Sequence, residues 1–269
     1  WFLGKELGLS MSIFHTGVPL GAVISFNVMP ALAGIFGWRS SQWLVALFAL
    51  AALIVFLIIF IDSPAERRKE SREGQKSLAG ILKIGTAVWL LGLIWMLYTS
   101  SVSAFMSFST DFLVRNGFSI TTAGFASGLL PVATLLSTPV VGLLIDKFQS
   151  QKLFIGSCGL ILTGFYIVIF NFPGSSLPLL FTMGIFSSLL PPSVSTLIQQ
   201  QIKEENLGFA FGLTNTLSNA GGLLAPYIAG YLRDYSGSYL LSFWFYSFLS
   251  ILITVLVIVL VLRKYGKTD

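Results

Sequence analysis

The sequence predicts an all-α, polytopic transmembrane helix bundle, on three observations. Long stretches carry no charge, basic residues gather in alternate connections, and the uncharged stretches show no strand-like alternation. Charged residues are 10% of the 269-residue chain, against about 25% in an average soluble domain. Length alone would permit one or two soluble domains, but the spacing of the charges excludes them. Seven uncharged runs are each at least as long as a helix needs to cross the hydrocarbon core, roughly 20 residues, and one is long enough to cross twice.

The runs place spans at 7–35, 42–61, 84–109, 120–145, 153–170, 178–201, 207–232 and 239–262. The fifth and sixth come from one uncharged stretch, 153–202, divided by Asn171-Phe172-Pro173-Gly174-Ser175-Ser176, a cluster of turn formers. Lipid offers no partner to open backbone groups, so only helices or a closed barrel can span it. Barrel strands would be about 10 residues of alternating polarity, and these runs are longer and do not alternate.

Of the 16 Lys and Arg, 13 fall in connections that share one side: Lys5, the six between Arg67 and Lys83, Lys147, Lys152, Lys203, Arg263, Lys264 and Lys267. Arg39, Arg115 and Arg233 fall on the other. Short basic loops stay cytoplasmic, so both ends are expected in the cytoplasm, with the plasma (cytoplasmic) membrane as location. The formal charge of +5 then reflects topology; no basic-aromatic module argues for nucleic acid. The polar stretch 63–77 reads as a linker near anionic headgroups. Trp1 opens the sequence without a methionine, and the chain is expected to be a fragment, inactive by itself.

The spans differ in texture. Those at 42–61 and 239–262 are almost uniformly apolar, which suits lipid-facing helices. Others carry small and polar residues at helical spacing, which let helices approach closely, bond between helices or line a cavity. Gly208, Gly212, Asn215, Asn219, Gly222, Pro226 and Gly230 form one stripe. Ser100, Ser103 and Ser107 share a face continuing to Asp111, and Ser188, Pro192, Ser195 and Gln199 share another. Pro191-Pro192 should bend its helix. In the first span, Asn27 shares a face with Thr16, beside Gly17 and Gly21. Gly17, Gly21, Gly212, Gly222, Pro226 and Gly230 are assigned to helix packing. For the serines and asparagines, packing and solute contact stay open. The titratable group of interest inside a span is His15, a proton site or a neutral histidine bonded to a neighbour. Cys158, the single cysteine, reads as a packed thiol.

Three stretches resemble the major facilitator superfamily. Gly17-Val-Pro-Leu-Gly21, Pro30 and Gly37-Trp38-Arg39 look like its fifth helix and outer loop. Gly142-Leu-Leu-Ile-Asp146-Lys147 looks like its Gly-x-x-x-Asp-Arg/Lys loop motif. Gly208 to Gly212, Asn215, Asn219, Gly222, Pro226, Gly230 and the exit Asp234 to Tyr239 look like its eleventh helix. After Asp146-Lys147 the chain departs from the motif, with Gln149 and Ser150 in place of glycine and basic residues. The resemblance implies helices five to twelve of twelve. Residues 1–62 would be a two-span remnant of the N-terminal six-helix half, 63–83 the cytoplasmic linker, and 84–269 the C-terminal half. It further implies two parallel repeats with a solute site between halves near the midplane.

The reading is a secondary transporter of a small solute working by alternating access. It is expected to be monomeric when intact, with H+ or another ion as a possible coupling partner and neither cofactor nor metal. His15, Asn27, Trp95, Tyr98, Ser100, Ser103, Ser107, Ser188, Asn215 and Asn219 are candidates for the solute path. Gly142, Asp146 and Lys147 are candidates for a conformational latch. An intramembrane enzyme is disfavoured: the chain has one histidine, no Gly-x-Ser-x-Gly, no His-Glu-x-x-His and no aspartate pair within spans. A non-transporting sensor on the same fold is the remaining alternative.

Overall fold

The computed structural model describes residues 6–59 and 86–265, without the side chains of 26–31, 204–205 and 263–265. Every long element among them is a helix. In chain order these are α1 (Leu7–His15), α2 (Gly17–Phe36), α3 (Trp38–Ile59), α4 (Thr86–Arg115), α5 (Ile120–Phe148), α6 (Gln151–Asn171), α7 (Ser176–Ser187), α8 (Leu190–Gln201), α9 (Glu204–Ser236) and α10 (Leu240–Tyr265). A single 3₁₀ turn, Pro173–Ser175, joins α6 to α7, where the cluster of turn formers predicted a break. The linker expected at 63–83 lies outside the described residues.

Several helices run past the uncharged stretches that predicted them. The span expected at 84–109 reaches Arg115 as part of a 30-residue helix, and 207–232 sits inside the 33 residues of α9. Charges are expelled from the hydrocarbon layer but not from the helix, so uncharged stretches mark the layer and understate the element. Among the described residues, seven stretches are long and apolar enough to cross a membrane: Leu7–Ser25, Trp38–Ile59, Thr86–Arg115, Ile120–Phe148, Gln151–Asn171, Pro173–Gln201 and Leu240–Leu262. The eighth expected span, within α9, has the length but falls outside that set, because Asn215, Asn219 and the glycines dilute its apolar content.

Two of the spans are broken in the middle. Pro19 has no N–H for the carbonyl of His15 four residues back. There α1 ends, with Thr16 N donating to both Ser12 O (3.0 Å) and Ile13 O (3.2 Å). Pro191 and Pro192 likewise leave the carbonyls of Ser187 and Ser188 without their helical donors, and the helix divides into α7 and α8 there.

The core lies among α4, α6 and α10. Phe105, Phe112, Tyr166, Phe243 and Tyr246 interlock there, with Phe112 and Phe243 ring centres 4.7 Å apart. Close helix approach occurs at particular glycines. A Cβ on Gly159 of α6 would meet the Ser250 carbonyl of α10 at 2.7 Å, and one on Gly92 of α4 would meet Leu217 of α9 at 2.8 Å. Gly184 of α7 packs against the Leu130 carbonyl of α5, and Gly221 of α9 against Ser100 and Met96 of α4. At its C-terminal end α9 stops at Gly237, whose φ of +67° is a left-handed conformation suited to glycine.

Candidate functional site

One face of α1 is sealed against α5 and α8. Asp146, near the end of α5, accepts from Gly8 N through Oδ1 (2.7 Å) and from Leu9 N through Oδ2 (2.8 Å). The carboxylate thus fills two of the free donors at the start of α1, where a negative charge is also favoured by the helix dipole. The approach that permits this needs two glycines. A Cβ on Gly8 would stand 2.9 Å from the Gly142 carbonyl, and one on Gly142 would stand 2.8 Å from the Leu9 Cα. Gly142 and Asp146 therefore act on one seam, while Lys147 is exposed, with its ammonium 5.5 Å from the Phe148 ring centre.

The seam continues along α1 at helical spacing. Gln199 of α8 donates to the sulfur of Met11, and His15 Nε2 lies 2.7 Å from Ser195 Oγ. Trp95 of α4 stands beside the imidazole at 5.4 Å between ring centres. Here the end of α1, the start of α2 and the C-terminal half of a broken span meet. Tyr98, one turn after Trp95, reaches the other break. Its hydroxyl donates to Ser187 O at 3.0 Å, the carbonyl that Pro191 leaves without an amide. The phenol stands in for the missing backbone donor and ties Tyr98 to the broken helix.

The remaining candidates separate by environment. Ser188 is fully buried and accepts from Ser137 of α5 (2.9 Å). Ser100 is buried against Gly221, and Ser103 Oγ donates to Gly222 O of α9 (3.2 Å). Ser107 is exposed and turns back to the Ser103 carbonyl of its own helix. Asn215 and Asn219 are exposed. The side chain of Asn27 lies outside the described residues.

The packing glycines also divide. Gly222 and Gly230 face α4, where a Cβ would stand 3.3 Å from Thr99 and 3.1 Å from Phe108 respectively, with Pro226 half-buried between them. A Cβ on Gly17, Gly21 or Gly212 would have nothing within 4 Å among the described residues. Gly8, Gly184 and Gly221 make the tight approaches and were not singled out by the stripe. Their signal is a small residue facing another small residue, which is invisible until the partner helix is placed.

A second polar cluster joins the C-terminal ends of α4 and α9 to the start of α10. Asp111 pairs with Arg115 (3.0 Å) and Arg233 (3.7 Å), and the Tyr239 hydroxyl donates to it. Arg233 also lies 4.9 Å over the Phe108 ring. Among the described residues no three His, Cys, Asp or Glu side chains gather in a possible metal site.

The comparisons with known proteins agree with this architecture. The model of the Major Facilitator Superfamily matches residues 1–181 and again 105–269. The chain belongs to the Major Facilitator Superfamily. It is 25% identical to the human lysosomal dipeptide transporter MFSD1, over 93% of this chain and 57% of that protein. It is 22% identical to a probable sulfoacetate transporter, SauU, of Cupriavidus necator, over 90% of this chain and 62% of that one. With a probable nitrate transporter, NarT, of Staphylococcus haemolyticus it shares 26%, over 99% and 68%. The chain thus spans about three-fifths of the length of the first two. In fold it resembles the E. coli fucose:proton symporter FucP in the outward conformation, at a TM-score of 0.68 and 15% identity, covering 93% of this chain and 67% of that one. It is an integral membrane protein of a transporter family, and its relatives are membrane solute transporters, not enzymes.

Proposed function

We propose that this chain is the greater part of a secondary transporter that moves a small solute by alternating access, with the seam between α1 and α5/α8 as one of its gates. In this reading α9 is the eighth span, both ends face the cytoplasm, and the described helices correspond to the fifth to twelfth of twelve. Residues 1–62 belong to one half and 84–269 to the other, with 63–83 joining them. The observation that carries the reading is the seam itself. On the cytoplasmic side it is closed by Asp146 on Gly8 and Leu9 and by the paired glycines. At mid-depth it holds hydrogen-bonding groups, His15, Ser195 and Trp95, at two broken helices. Discontinuous helices near the midplane are where transporters of this kind bind solute and ion.

Alternating access requires the seam to part while the outer side closes. Parting exchanges the Asp146 bonds for water and exposes His15, Ser188 and Ser195. Asn215 and Asn219 would line the same path from α9, and Asn27 from the other half. Flux of a metabolite panel into proteoliposomes containing the full-length protein tests the reading. Saturable uptake is expected; solute binding with no flux for any member would support the sensor instead. Topology is tested separately with reporter tags near Arg72 and Arg115, which are expected on opposite faces of the membrane.

A further inference from the structure

We infer that Ser12 is a counterweight to the Asp146 latch: its buried, unbonded hydroxyl disfavours the closed seam and so keeps the parted state within reach. Gly8, Ser12 and His15 follow one another at helical spacing on the face of α1 that meets α5 and α8. Gly8 is held by Asp146 and His15 by Ser195. Ser12, between them, is fully buried, and its Oγ has no hydrogen-bond partner. It faces the backbone of Gly142, where a Cβ would stand 2.5 Å from Ser12 Oγ and 2.7 Å from Ser12 Cβ. The Gly142 methylene offers the hydroxyl at most a weak C–H contact. Other helix hydroxyls turn back onto their own helix: Ser10 donates to Glu6 O, Ser137 to Ala133 O and Thr163 to Gly159 O. Ser12 makes no such bond.

A buried hydroxyl left without a bond destabilises the state that buries it, by roughly 5- to 150-fold in an equilibrium constant. Parting the seam wets Ser12 and removes that cost. The carboxylate bonds at Gly8 and Leu9 act in the opposite sense and with a similar size. A gate that must both close and part needs such a balance, because a bias well beyond about a hundredfold either way would leave one state almost empty. Packing alone would be served as well by alanine, whose methyl keeps the contact of Ser12 Cβ with Gly142 and drops only the oxygen. The hydroxyl therefore acts on the equilibrium between the two states more than on the fit of the closed one.

This role rests on the seam being a gate, and one assay separates the two. The readout is the rate at which a membrane-permeant maleimide labels Gln199→Cys in the full-length protein carrying Cys158→Ala, since Gln199 lies against Met11 in the closed seam. Ser12→Ala is expected to slow labelling by at least about threefold. Combined with Asp146→Asn, it should slow the faster labelling of that variant by a similar factor. Ser10→Ala raises the helix preference of α1 equally but removes a hydroxyl already bonded to Glu6 O, and should leave the rate within about twofold. Slowing by less than about threefold in Ser12→Ala, or equal slowing in Ser10→Ala, overturns the role of Ser12. Faster labelling of Asp146→Asn beside an unchanged Ser12→Ala keeps the gate and removes the counterweight. Slowing by Ser12→Ala with no effect of Asp146→Asn keeps the counterweight and removes the latch. Should none of these variants change the rate, gate and counterweight fall together.

Discussion

Replacing Asp146 with Asn should loosen the seam without unfolding the helices that form it. The carboxylate accepts two backbone amides, Gly8 N at 2.7 Å and Leu9 N at 2.8 Å. Hydrogen bonds to a charged group contribute about 1.5–3 kcal/mol each, and a charge at a helix start adds about 0.3–1 kcal/mol. Asparagine keeps one acceptor and turns its amide nitrogen toward the other backbone donor. One bond is lost, the other becomes neutral, and the dipole interaction disappears. The net loss is about 2–3 kcal/mol of the closed seam, or roughly a 30- to 150-fold shift toward the parted state. The assay is the rate at which a membrane-permeant maleimide labels Gln199→Cys, which lies against Met11 in the closed seam. The full-length protein should carry Cys158→Ala and no other cysteine besides the Gln199→Cys probe. Labelling of the Asp146→Asn variant should accelerate by at least tenfold. A change below about threefold, in a protein that melts near the parent temperature, would refute the assignment of Asp146 as the group that holds this seam.

Other expectations follow from the same geometry. Tyr98→Phe leaves the Ser187 carbonyl buried without a donor. It should lower stability by about 1–3 kcal/mol, seen as a fall in melting temperature, while Tyr98→His, which could still donate, should recover part of the loss. Gly184→Ala should be severely destabilising, because its Cβ has no room against the Leu130 backbone. Gly212→Ala meets open space and should be neutral or stabilising by up to about 1 kcal/mol; equal effects at the two sites would contradict the packing described. At the cluster of Asp111, Arg233 and Tyr239, burial first and then the bond to Asp111 push the Tyr239 phenol above its ordinary value of 10.0. A raised folded pKa means the contribution is complete below pH 10 and is lost as pH rises beyond it. Melting temperature should therefore fall more steeply above pH 10 in the parent than in Tyr239→Phe, and parallel curves would argue against the phenol's role.

The amino-acid sequence by itself determined the class of the protein and roughly where most of its helices lie. Charge is expelled from hydrocarbon and proline cannot donate, and both constraints are local, so the uncharged runs and Pro191-Pro192 could be read from the chain alone. It also determined which residues have the chemistry for a seam: Gly142 with Asp146 at one end, and His15 as the titratable group of interest inside a span. Which groups meet was decided only by the tertiary structure. The periodicity placed Gly212 and Gly222 on one stripe, yet Gly222 packs on α4 while Gly212 meets nothing within 4 Å. Ser100 and Ser103 went to the α4–α9 contact, and Tyr98 to the carbonyl orphaned by Pro191. Helical spacing fixes the direction of a side chain relative to its own axis. What lies in that direction depends on the rotation of the helix and on its neighbours. Gly8 against Gly142, His15 against Ser195 and Thr134 against Ser187 join residues 53 to 180 positions apart, and no local pattern encodes such a pairing.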